Sequence, residues 1–293
     1  MTIRPLQPHE WNELAQLIHS STNTWYQKNL NRDCFPPDQP DACRIFPEVY
    51  EALDPGCCLI AEIDGQIAGS CFYHPRDTHV SLGIMNASPD FAGQGVAKAL
   101  LVEIIKRAGD KPVRLVSSAL NLDSYSLYTR AGFRPTAIYQ DLIFPDLPEI
   151  PHPNTRPATI TDLPAIVTLE KELTGLSREK DYRHFLENAA GIWHGSVSEK
   201  AGQLTGFLFS VNHPGSAMLG PGVMINDDDA LSLIGAEMQR FESSPLFLAP
   251  TDRPALISKL YQLGARNCEI HFSQVLGASQ PASGVVMPTF MPE

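Results

Sequence analysis

Apolar and polar residues alternate along the chain in two periods, one typical of strands and one typical of helices. Short runs rich in β-branched and aromatic residues at 57–63, 67–73 and 112–118 predict buried strands. Residues 95–108 instead place apolar side chains at helical spacing, which predicts an amphipathic helix against a sheet. In order, the elements predicted for the first half are strand 2–6, helix 8–21, a mixed segment 22–54, strands 57–63, 67–73 and 78–87, helix 95–108, strand 112–118, helix 121–131 and strand 133–141.

The two halves of the chain carry similar patterns. Arg4-Pro5 and Arg156-Pro157 each precede an amphipathic stretch. The segment Gly65-Gln66-Ile67-Ala68-Gly69 resembles Gly202-Gln203-Leu204-Thr205-Gly206, and each lies between β-rich runs, as a hairpin turn would. A duplicated α/β unit is the simplest account of these matches.

Prolines are concentrated near the middle of the chain, at Pro145, Pro148, Pro151, Pro153 and Pro157. Proline at this density prevents helices and central strands, so the segment is predicted to be a stiff connector. The predicted organisation is a first domain at 1–143, a linker at 144–155 and a second domain at 156–293.

The composition is that of a globular protein with excess negative charge. The 293 residues are 43% hydrophobic and 19% charged, with a formal net charge of −11. A nucleic-acid partner is disfavoured because binding to phosphates needs a basic surface. The negative charge leaves room for a cationic substrate such as an amine.

Neither a membrane segment nor a metal site is predicted. No apolar run approaches the ~18 residues of a membrane helix, and the N-terminus lacks the apolar stretch of a signal peptide. We therefore expect a cytoplasmic protein. The 6 cysteines form neither a CxxC pair nor a disulfide framework, so buried thiols are expected.

The stretch 84–101 runs from an apolar strand through a glycine-containing turn into a helix. This geometry points free backbone N–H groups and the positive end of the helix dipole at one spot, where an anion such as phosphate binds. Gly93 and Gly95 let the backbone approach closely. A dinucleotide loop is disfavoured because Lys98 stands where that motif needs a small residue, and a Walker loop because GK[ST] is absent. A coenzyme A pyrophosphate loop and a plain strand-to-helix turn are the two interpretations left.

Two motifs resemble the GNAT superfamily of N-acetyltransferases. The loop resembles the pattern Q/R-x-x-G-x-G/A at Gly95 and Ala97, although Ala92 replaces the initial Gln or Arg. The stretch Asn121–Phe133 resembles the later motif N-x-x-(small)-x-x-L-Y-x-x-x-G-F. The resemblance covers roughly residues 3–143. With the repeat, it implies a mixed α/β (α+β) fold of two tandem GNAT-like domains, each with a mostly antiparallel central sheet flanked by helices.

The resemblance implies acetyl-CoA as the cofactor. The strand before the loop is similar to the one whose backbone pairs with pantetheine and polarises the acetyl carbonyl. Ala92 lacks the side chain that family members often place near the phosphates, while the backbone N–H groups are retained. The implied coenzyme-binding residues are Met85, Asn86, Ala87, Ala92, Gly93, Gln94, Gly95, Val96, Ala97, Lys98, Asn121, Ser124 and Tyr128.

The resemblance also implies direct attack of the amine on the thioester. Tyr128 corresponds to the tyrosine that protonates the departing thiolate, although a helix-face tyrosine packed on the sheet is the alternative. Many family members carry a Glu base on the strand before the loop, and the matching position holds Ser81, which cannot accept a proton at neutral pH. His79 lies on the same face of that strand and is a candidate base acting through water, or else a buried histidine. Asn121 contacts the coenzyme or caps its helix.

The second half resembles a GNAT core that has lost its phosphate loop. Residues 219–225 lead to aspartates at 227–229 before a predicted helix at 229–241. Pro221 removes an N–H donor, and the aspartates would repel a pyrophosphate. Leu260 stands at the tyrosine position. We therefore expect a degenerate, non-catalytic copy.

Residues 22–54 lie where family members build the acceptor site. Trp25, Tyr26, Asp33 and Phe35 offer aromatic and acidic surface for an amine, and ordinary packing explains the aromatic residues equally well. A polyamine, an amino sugar, an amino acid and a peptide N-terminus all stay open as acceptors. The predicted function is acetyl transfer from acetyl-CoA to a primary amine in the first domain, by a monomer or homodimer. The alternative is a non-catalytic acyl-CoA-binding sensor or scaffold.

Overall fold

The computed structural model describes residues 1–290. Its first half starts with an edge strand and two helices, continues with a three-stranded meander and ends with two strands that each follow a helix. The elements are β1 (Thr2–Pro5), α1 (Trp11–Leu30), α2 (Ile45–Leu53), β2 (Cys58–Ile63), β3 (Gln66–Pro75), β4 (Val80–Ala87), α3 (Val96–Ala108), β5 (Val113–Ser118), α4 (Leu122–Arg130) and β6 (Arg134–Ile143). A membrane crossing would need a longer apolar helix than any found in residues 1–290.

The second half repeats the same order of elements and adds one strand. The elements are β7 (Thr155–Pro157), α5 (Leu163–Thr174), α6 (Glu179–Glu187), β8 (Trp193–Lys200), β9 (Gln203–His213), β10 (Ser216–Met224), α7 (Asp227–Met238), β11 (Leu246–Pro250), α8 (Pro254–Gln262), β12 (Arg266–Leu276) and the additional β13 (Val285–Met287). The predicted hairpins match in backbone conformation too. Asp64-Gly65 and Ala201-Gly202 both have φ of 51° followed by 77°, as a tight turn with two left-handed residues requires.

The strands of the two halves belong to one sheet, and the halves exchange their last long strands. The strand order is β1-β2-β3-β4-β5-β12-β6-β11-β10-β9-β8-β7, with β13 paired to β10. β12 therefore lies beside β5 of the first half, and β6 lies beside β11 of the second half. At the centre, β6 and β12 run antiparallel with His271 opposite Tyr139. Each half of the sheet is thus completed by a strand from the other half of the chain.

Helices cover both faces of the sheet and bury three apolar cores. One core is shared, because residues such as Leu14 and Tyr50 of the first half pack in the same cluster as Leu169 and Trp193 of the second. The other two cores lie mainly in one half each, one beneath α3 and α4 and the other beneath α7 and α8, where Leu142 of the exchanged strand β6 joins residues of the second half. The shared core and the exchanged strands join the halves into one packed molecule.

Helix α1 is longer than the sequence predicts, because it continues past residue 21 to Leu30. The run of Ser, Thr and Asn after residue 19 favours an earlier end, since these side chains compete for backbone hydrogen bonds. Here the Ser21 hydroxyl donates back to the Leu17 carbonyl at 2.6 Å, within the helix. Asn23 is buried and accepts the N–H of Phe35 at 2.9 Å. The polar side chains therefore make hydrogen bonds within the helix and to the loop that follows it, and the helix continues through them.

Candidate functional site

The sheet opens between β4 and β5. Their parallel ladder is short, beginning with Val80 opposite Val113, and the strands then diverge. Along its other edge β4 stays paired with β3 as far as Ala87, and β5 stays paired with β12 as far as Ser118. The edges that face this gap therefore present backbone N–H and C=O groups with no strand partner.

A short loop joins the open end of β4 to α3. Ser88 accepts a hydrogen bond from the N–H of Asp90 at 3.3 Å and starts a single 3₁₀ turn at Pro89–Phe91. Gly93 and Gly95 have φ of +79° and +76°, a conformation that glycine adopts without strain. Because Gly95 directly precedes α3, the helix begins at the open end of the gap.

The start of α3 presents several free hydrogen-bond donors. A helix leaves its first N–H groups without an intrahelical partner, and here neither a side chain nor the loop supplies one. In the loop and the first turn of α3, the N–H groups of Gly93, Gly95, Val96, Ala97 and Lys98 find no acceptor among residues 1–290. No acidic residue lies in the first turn, and the exposed Lys98 adds its charge to the helix dipole. The arrangement is suited to an anion.

Tyr128 of α4 lies in the core that α3 covers, near Cys71 of β3. Its side chain is 6% exposed and packs against Phe133, with ring centroids 5.7 Å apart. Burial raises the pKa of its hydroxyl, and the Cys71 thiol adds to the shift. Cys71 lies opposite Met85 in the β3–β4 ladder. The raised pKa means that the hydroxyl keeps its proton. Within residues 1–290 the Tyr128 hydroxyl makes no hydrogen bond, so it is free to donate one to a ligand.

Asn121 and Ser124 stand at the start of α4. The Asn121 side-chain oxygen accepts the N–H of Ser124 at 3.0 Å, which is a helix cap. Both residues are half-buried. The capping role considered from the sequence is therefore present, and a contact of either residue with coenzyme stays a prediction.

Ser81 and His79 lie at the closed end of the β4–β5 ladder, and both are 1% exposed. The Nδ1 atom of His79 is 2.9 Å from the Thr78 hydroxyl. Burial, and after it the nearby cationic groups, first among them Arg178, together lower the pKa of His79 to about 3. Ala87 stands six residues beyond Ser81, or about 20 Å of extended strand. Neither side chain is close to the loop.

A comparison with protein families adds to this geometry. Residues 24–133 match the model of the Acetyltransferase (GNAT) family, and the matched range includes the gap, the loop and α4. This part of the chain is similar to a GNAT domain, and the first half of the chain is called the GNAT domain below. The resemblance drawn from the two sequence motifs is confirmed, and acetyl-CoA is the coenzyme that GNAT acetyltransferases use in general.

Solved structures with the same fold cover nearly the whole chain. A Pyrococcus horikoshii protein, assigned only provisionally as an acetyltransferase, has a TM-score of 0.78 at 13% identity and covers 100% of this chain and 95% of its own. A GCN5-related N-acetyltransferase from Sphaerobacter thermophilus has a TM-score of 0.64 at 16% identity, covering 96% and 98%. A tandem GNAT protein from clavulanic acid biosynthesis has a TM-score of 0.60 at 13% identity, covering 96% and 99%. At these identities the likeness shows the fold alone, and it confirms the predicted tandem arrangement.

Curated relatives match a smaller part of the chain. N-acetylaspartate synthetases from Rattus norvegicus and Homo sapiens are 29% identical over 106 residues, which is 34% of this chain. The match spans only 36% and 35% of those proteins. It therefore concerns about a third of each relative.

In the second half, the gap that corresponds to the one between β4 and β5 is filled by the chain itself. β10 and β11 are paired as far as Leu219 opposite Phe247 and then diverge. β13 enters the space between them and pairs with residues 222–224 of β10. Val285 and Met287 of β13 are 0% exposed. The strand edge that is free in the GNAT domain is thus occupied in the second copy.

The start of α7 also differs from the start of α3. The Asn226 side chain accepts the N–H of Asp229 at 3.0 Å, and Asp227, Asp228 and Asp229 fill the first turn. The helix begins at Asp227, slightly earlier than predicted. Leu260 is fully buried at the position that corresponds to Tyr128. In the second copy the gap is filled and the Asn226 side chain accepts one of the first N–H groups of the helix, and the loss of coenzyme binding there stays a prediction.

The predicted acceptor residues fall into two groups. Phe35 is 9% exposed and packs into the shared core, and Asp33 is half-buried in the loop after α1. Trp25 and Tyr26 lie near the end of α1, with ring centroids 5.1 Å apart. The Tyr26 hydroxyl donates to the Glu269 carboxylate of β12 at 3.0 Å. Glu269 comes from the other half of the chain and was not identified from the sequence.

Proposed function

We propose that the GNAT domain transfers an acetyl group from acetyl-CoA to a primary amine. The observation that carries this proposal is the open gap between β4 and β5, which ends at the free N–H groups of α3. Unpaired strand edges offer hydrogen bonds along a linear ligand, and a helix N-terminus binds phosphate at its end. Acetyl-CoA would supply the thioester whose acetyl group is transferred.

The loop is proposed to hold the pyrophosphate through its backbone. Its residues 92–98 are mostly exposed, and glycine at 93 and 95 leaves the donors accessible. Ala92 contributes no donor side chain, but the N–H groups do not depend on side-chain identity. Lys98 adds a positive charge beside them.

The edge of β4 at Met85, Asn86 and Ala87 is proposed to hold the pantetheine arm and to polarise the acetyl carbonyl. A backbone N–H directed at the carbonyl oxygen stabilises the negative charge that develops there during attack. The Asn86 side chain donates to Ser21 at 2.9 Å and to Thr22 at 3.2 Å. Helix α1 therefore fixes the position of this strand edge.

Tyr128 is proposed to protonate the departing thiolate. A phenol with a raised pKa stays protonated until a strong base such as a thiolate forms beside it. Its position opposite the α1 face leaves the attacking amine and the leaving group on different sides of the gap. The reaction then needs no acyl-enzyme: the C–N bond forms first as the carbonyl oxygen takes up negative charge, and the C–S bond then breaks as Tyr128 protonates the sulfur.

We do not assign the proton that leaves the amine to Ser81 or His79. Ser81 has no suitable pKa for this role. The buried environment that lowers the pKa of His79 makes its imidazole a weak base, and the closed end of the ladder is distant from the loop. The attacking nitrogen must lose one proton in the reaction. An amine that enters as the free base can give this proton to water, so no protein base is required.

The relatives support an amino acid as the first acceptor to test. The name N-acetylaspartate synthetase says that those proteins form N-acetylaspartate, whose acceptor is aspartate. Because the match covers only 34% of this chain, the acceptor of this protein is not carried over from theirs. L-Aspartate is therefore one probe among several primary amines.

A sensor that binds acyl-CoA without turnover is the second candidate. Two features favour it, namely the absence of a Gln or Arg at 92 and the distance of Ser81 and His79 from the loop. Release of free coenzyme A in the presence of an amine distinguishes the two functions. A sensor binds acetyl-CoA and releases none above the rate of the uncatalysed reaction.

The coenzyme site is tested by calorimetric titration with acetyl-CoA. We expect micromolar affinity, one molecule per chain, and a loss of at least about a hundredfold in Gly95→Asp, because a carboxylate would repel the pyrophosphate at the helix N-terminus. Gly65→Asp is the matched control, since Gly65 has φ of +77° against +76° for Gly95 and both positions are open to solvent. Equal affinity in wild type and Gly95→Asp would refute the assignment of the loop.

A further inference from the structure

We propose that Glu269, which the second half supplies through the exchanged strand β12, binds the ammonium group of the acceptor amine. The inference rests on the proposed acetyl transfer. It assigns to the degenerate copy a direct part in the site of the GNAT domain, in addition to its role in the fold.

The position of Glu269 follows from strand register. β4 and β5 begin together with Val80 opposite Val113, so Ser118 lies as far along β5 as Met85 lies along β4. The Ser118 hydroxyl donates to Oε1 of Glu269. The carboxylate is therefore held at the level of Met85, on the far side of the gap from the strand edge that would hold the acetyl group.

Helix α1 connects the two sides of the gap. Thr22 of this helix contacts Asn86 of β4 at 3.2 Å, and Tyr26 contacts Glu269 of β12 at 3.0 Å. These two helix residues are one turn apart, or about 6 Å along the axis. An amine bound at Glu269 would therefore lie on the same side of the sheet as α1, one helical turn along from the contact with Asn86.

The face of the sheet on which Glu269 lies suits an attacking group. Tyr26 of α1 packs against Glu269, and α1 belongs to the core shared by the halves. Tyr128 belongs to the separate core beneath α3 and α4. Glu269 and the proposed acid thus approach the gap from opposite faces, as an amine and a leaving thiolate do.

The counter-charge of Glu269, Arg32, can be replaced by another cation. Its side chain is 3% exposed, and its ion pair is with Arg32, which is 42% exposed, at 3.0 Å. A buried carboxylate needs a counter-charge, whereas an exposed arginine contributes little to an ion pair that solvent screens. The neighbouring Asp141 is engaged by His271 at 2.8 Å. An incoming ammonium ion can therefore take the place of Arg32 at small cost.

Opposite effects of two substitutions test this exchange. Acetyl transfer is followed by release of free coenzyme A with spermidine, glucosamine, L-aspartate and an alanine dipeptide as probes, and the best acceptor is used for kinetics. Glu269→Gln should raise the KM of the amine by at least about tenfold, because a charged hydrogen bond is lost. Arg32→Gln should lower that KM by about two- to fivefold, because a competing cation is removed. Both variants should keep the wild-type affinity for acetyl-CoA.

A matched control is available in the second half. Arg156 and Asp162 form a pair with side chains 40% and 11% exposed and atoms 2.7 Å apart, close to the values for Arg32 and Glu269. Asp162→Asn should leave the KM of the amine unchanged.

The outcomes separate the inference from the function on which it rests. A purely structural ion pair is broken by either substitution, so changes of KM in the same direction for Glu269→Gln and Arg32→Gln would overturn the inference. An unchanged KM in both variants would do the same, as would a wild-type protein that binds acetyl-CoA but acetylates none of the four amines. Failure of wild type to bind acetyl-CoA would instead remove the proposed function. Arg32 is on the surface, so its variant keeps the test usable if Glu269→Gln does not fold.

Discussion

At the scale of single residues, His79 gives a pH dependence of stability. Its pKa is lowered to about 3 in the folded protein, first of all by burial, against an unfolded value of about 6.5. The unfolded chain therefore binds an extra proton between these values, and stability falls as the pH drops below about 6.5. Between pH 7 and pH 5 the loss from this residue is about 2 kcal/mol. Urea unfolding at both pH values should show this difference in wild type and a smaller one in His79→Gln. The same difference in the free energy of unfolding between pH 7 and pH 5 in wild type and His79→Gln would contradict the lowered pKa.

Tyr128 gives a second prediction at this scale, in which catalysis and stability respond differently. Tyr128→Phe should lower kcat by about a hundredfold because the proton donor is removed. The free energy of unfolding should change by less than about 0.5 kcal/mol, because the hydroxyl has no partner within residues 1–290 to lose. Affinity for acetyl-CoA should also be retained. Denaturant unfolding and steady-state kinetics on the same preparation check both parts, and an unchanged kcat would remove Tyr128 as the acid.

Individual residues differ in how far the sequence could predict their place. Gly95 and Ala97 are recognisable because the loop is local, and its turn and helix start follow from adjacent residues. Glu269 is not recognisable in this way, because its partner Tyr26 is 243 positions away along the chain. The sequence also placed His79 on a plausible strand face, yet its burial at the closed end of the ladder depends on side chains from both halves.

At the scale of elements, strand β13 accounts for the loss of the second coenzyme gap. Its residues Val285 and Met287 are 0% exposed, and Val286 between them is half-buried. Met287→Ala should therefore lower the free energy of unfolding by about 3 kcal/mol, as the removal of a buried side chain does. Val286→Ala is the matched control and should cost about 1 kcal/mol or less. Both variants should still bind one acetyl-CoA per chain, and a second bound molecule in wild type would contradict the filling of the gap by β13.

The periodic pattern predicted the strands and helices of the first half well, because each depends on residues within one element. It could not predict where α1 ends, since Asn23 is satisfied by a loop residue, Phe35, that follows the helix. Strand exchange was also outside its reach. β6 and β12 are corresponding strands of a repeat, so their apolar and polar residues alternate in a similar way. Either strand could therefore pair with β5 on the basis of this pattern, and only the three-dimensional packing selects between them.

At the scale of the whole molecule, the exchange makes the site a product of both copies. The GNAT domain supplies the loop, the gap and Tyr128. β12 closes the edge of β5 and places Glu269 beside α1. The first half therefore depends physically on the second copy, since without it the GNAT half lacks a strand and a share of its core.

Separation of the halves tests this dependence. If the chain is cut between residues 150 and 151, the first fragment loses the β5–β12 ladder. Its strand β6 then lacks both of its neighbours, β11 and β12. It also exposes the shared core around Leu14 and Tyr50. Unpaired strand edges and exposed apolar surface favour aggregation, so neither fragment alone should unfold cooperatively. Because the segment around the cut belongs to no strand of the sheet and residues 151–154 are mostly exposed, co-expressed fragments should associate and bind acetyl-CoA. A monomeric first fragment with cooperative unfolding and wild-type affinity for acetyl-CoA would show instead that the halves are independent.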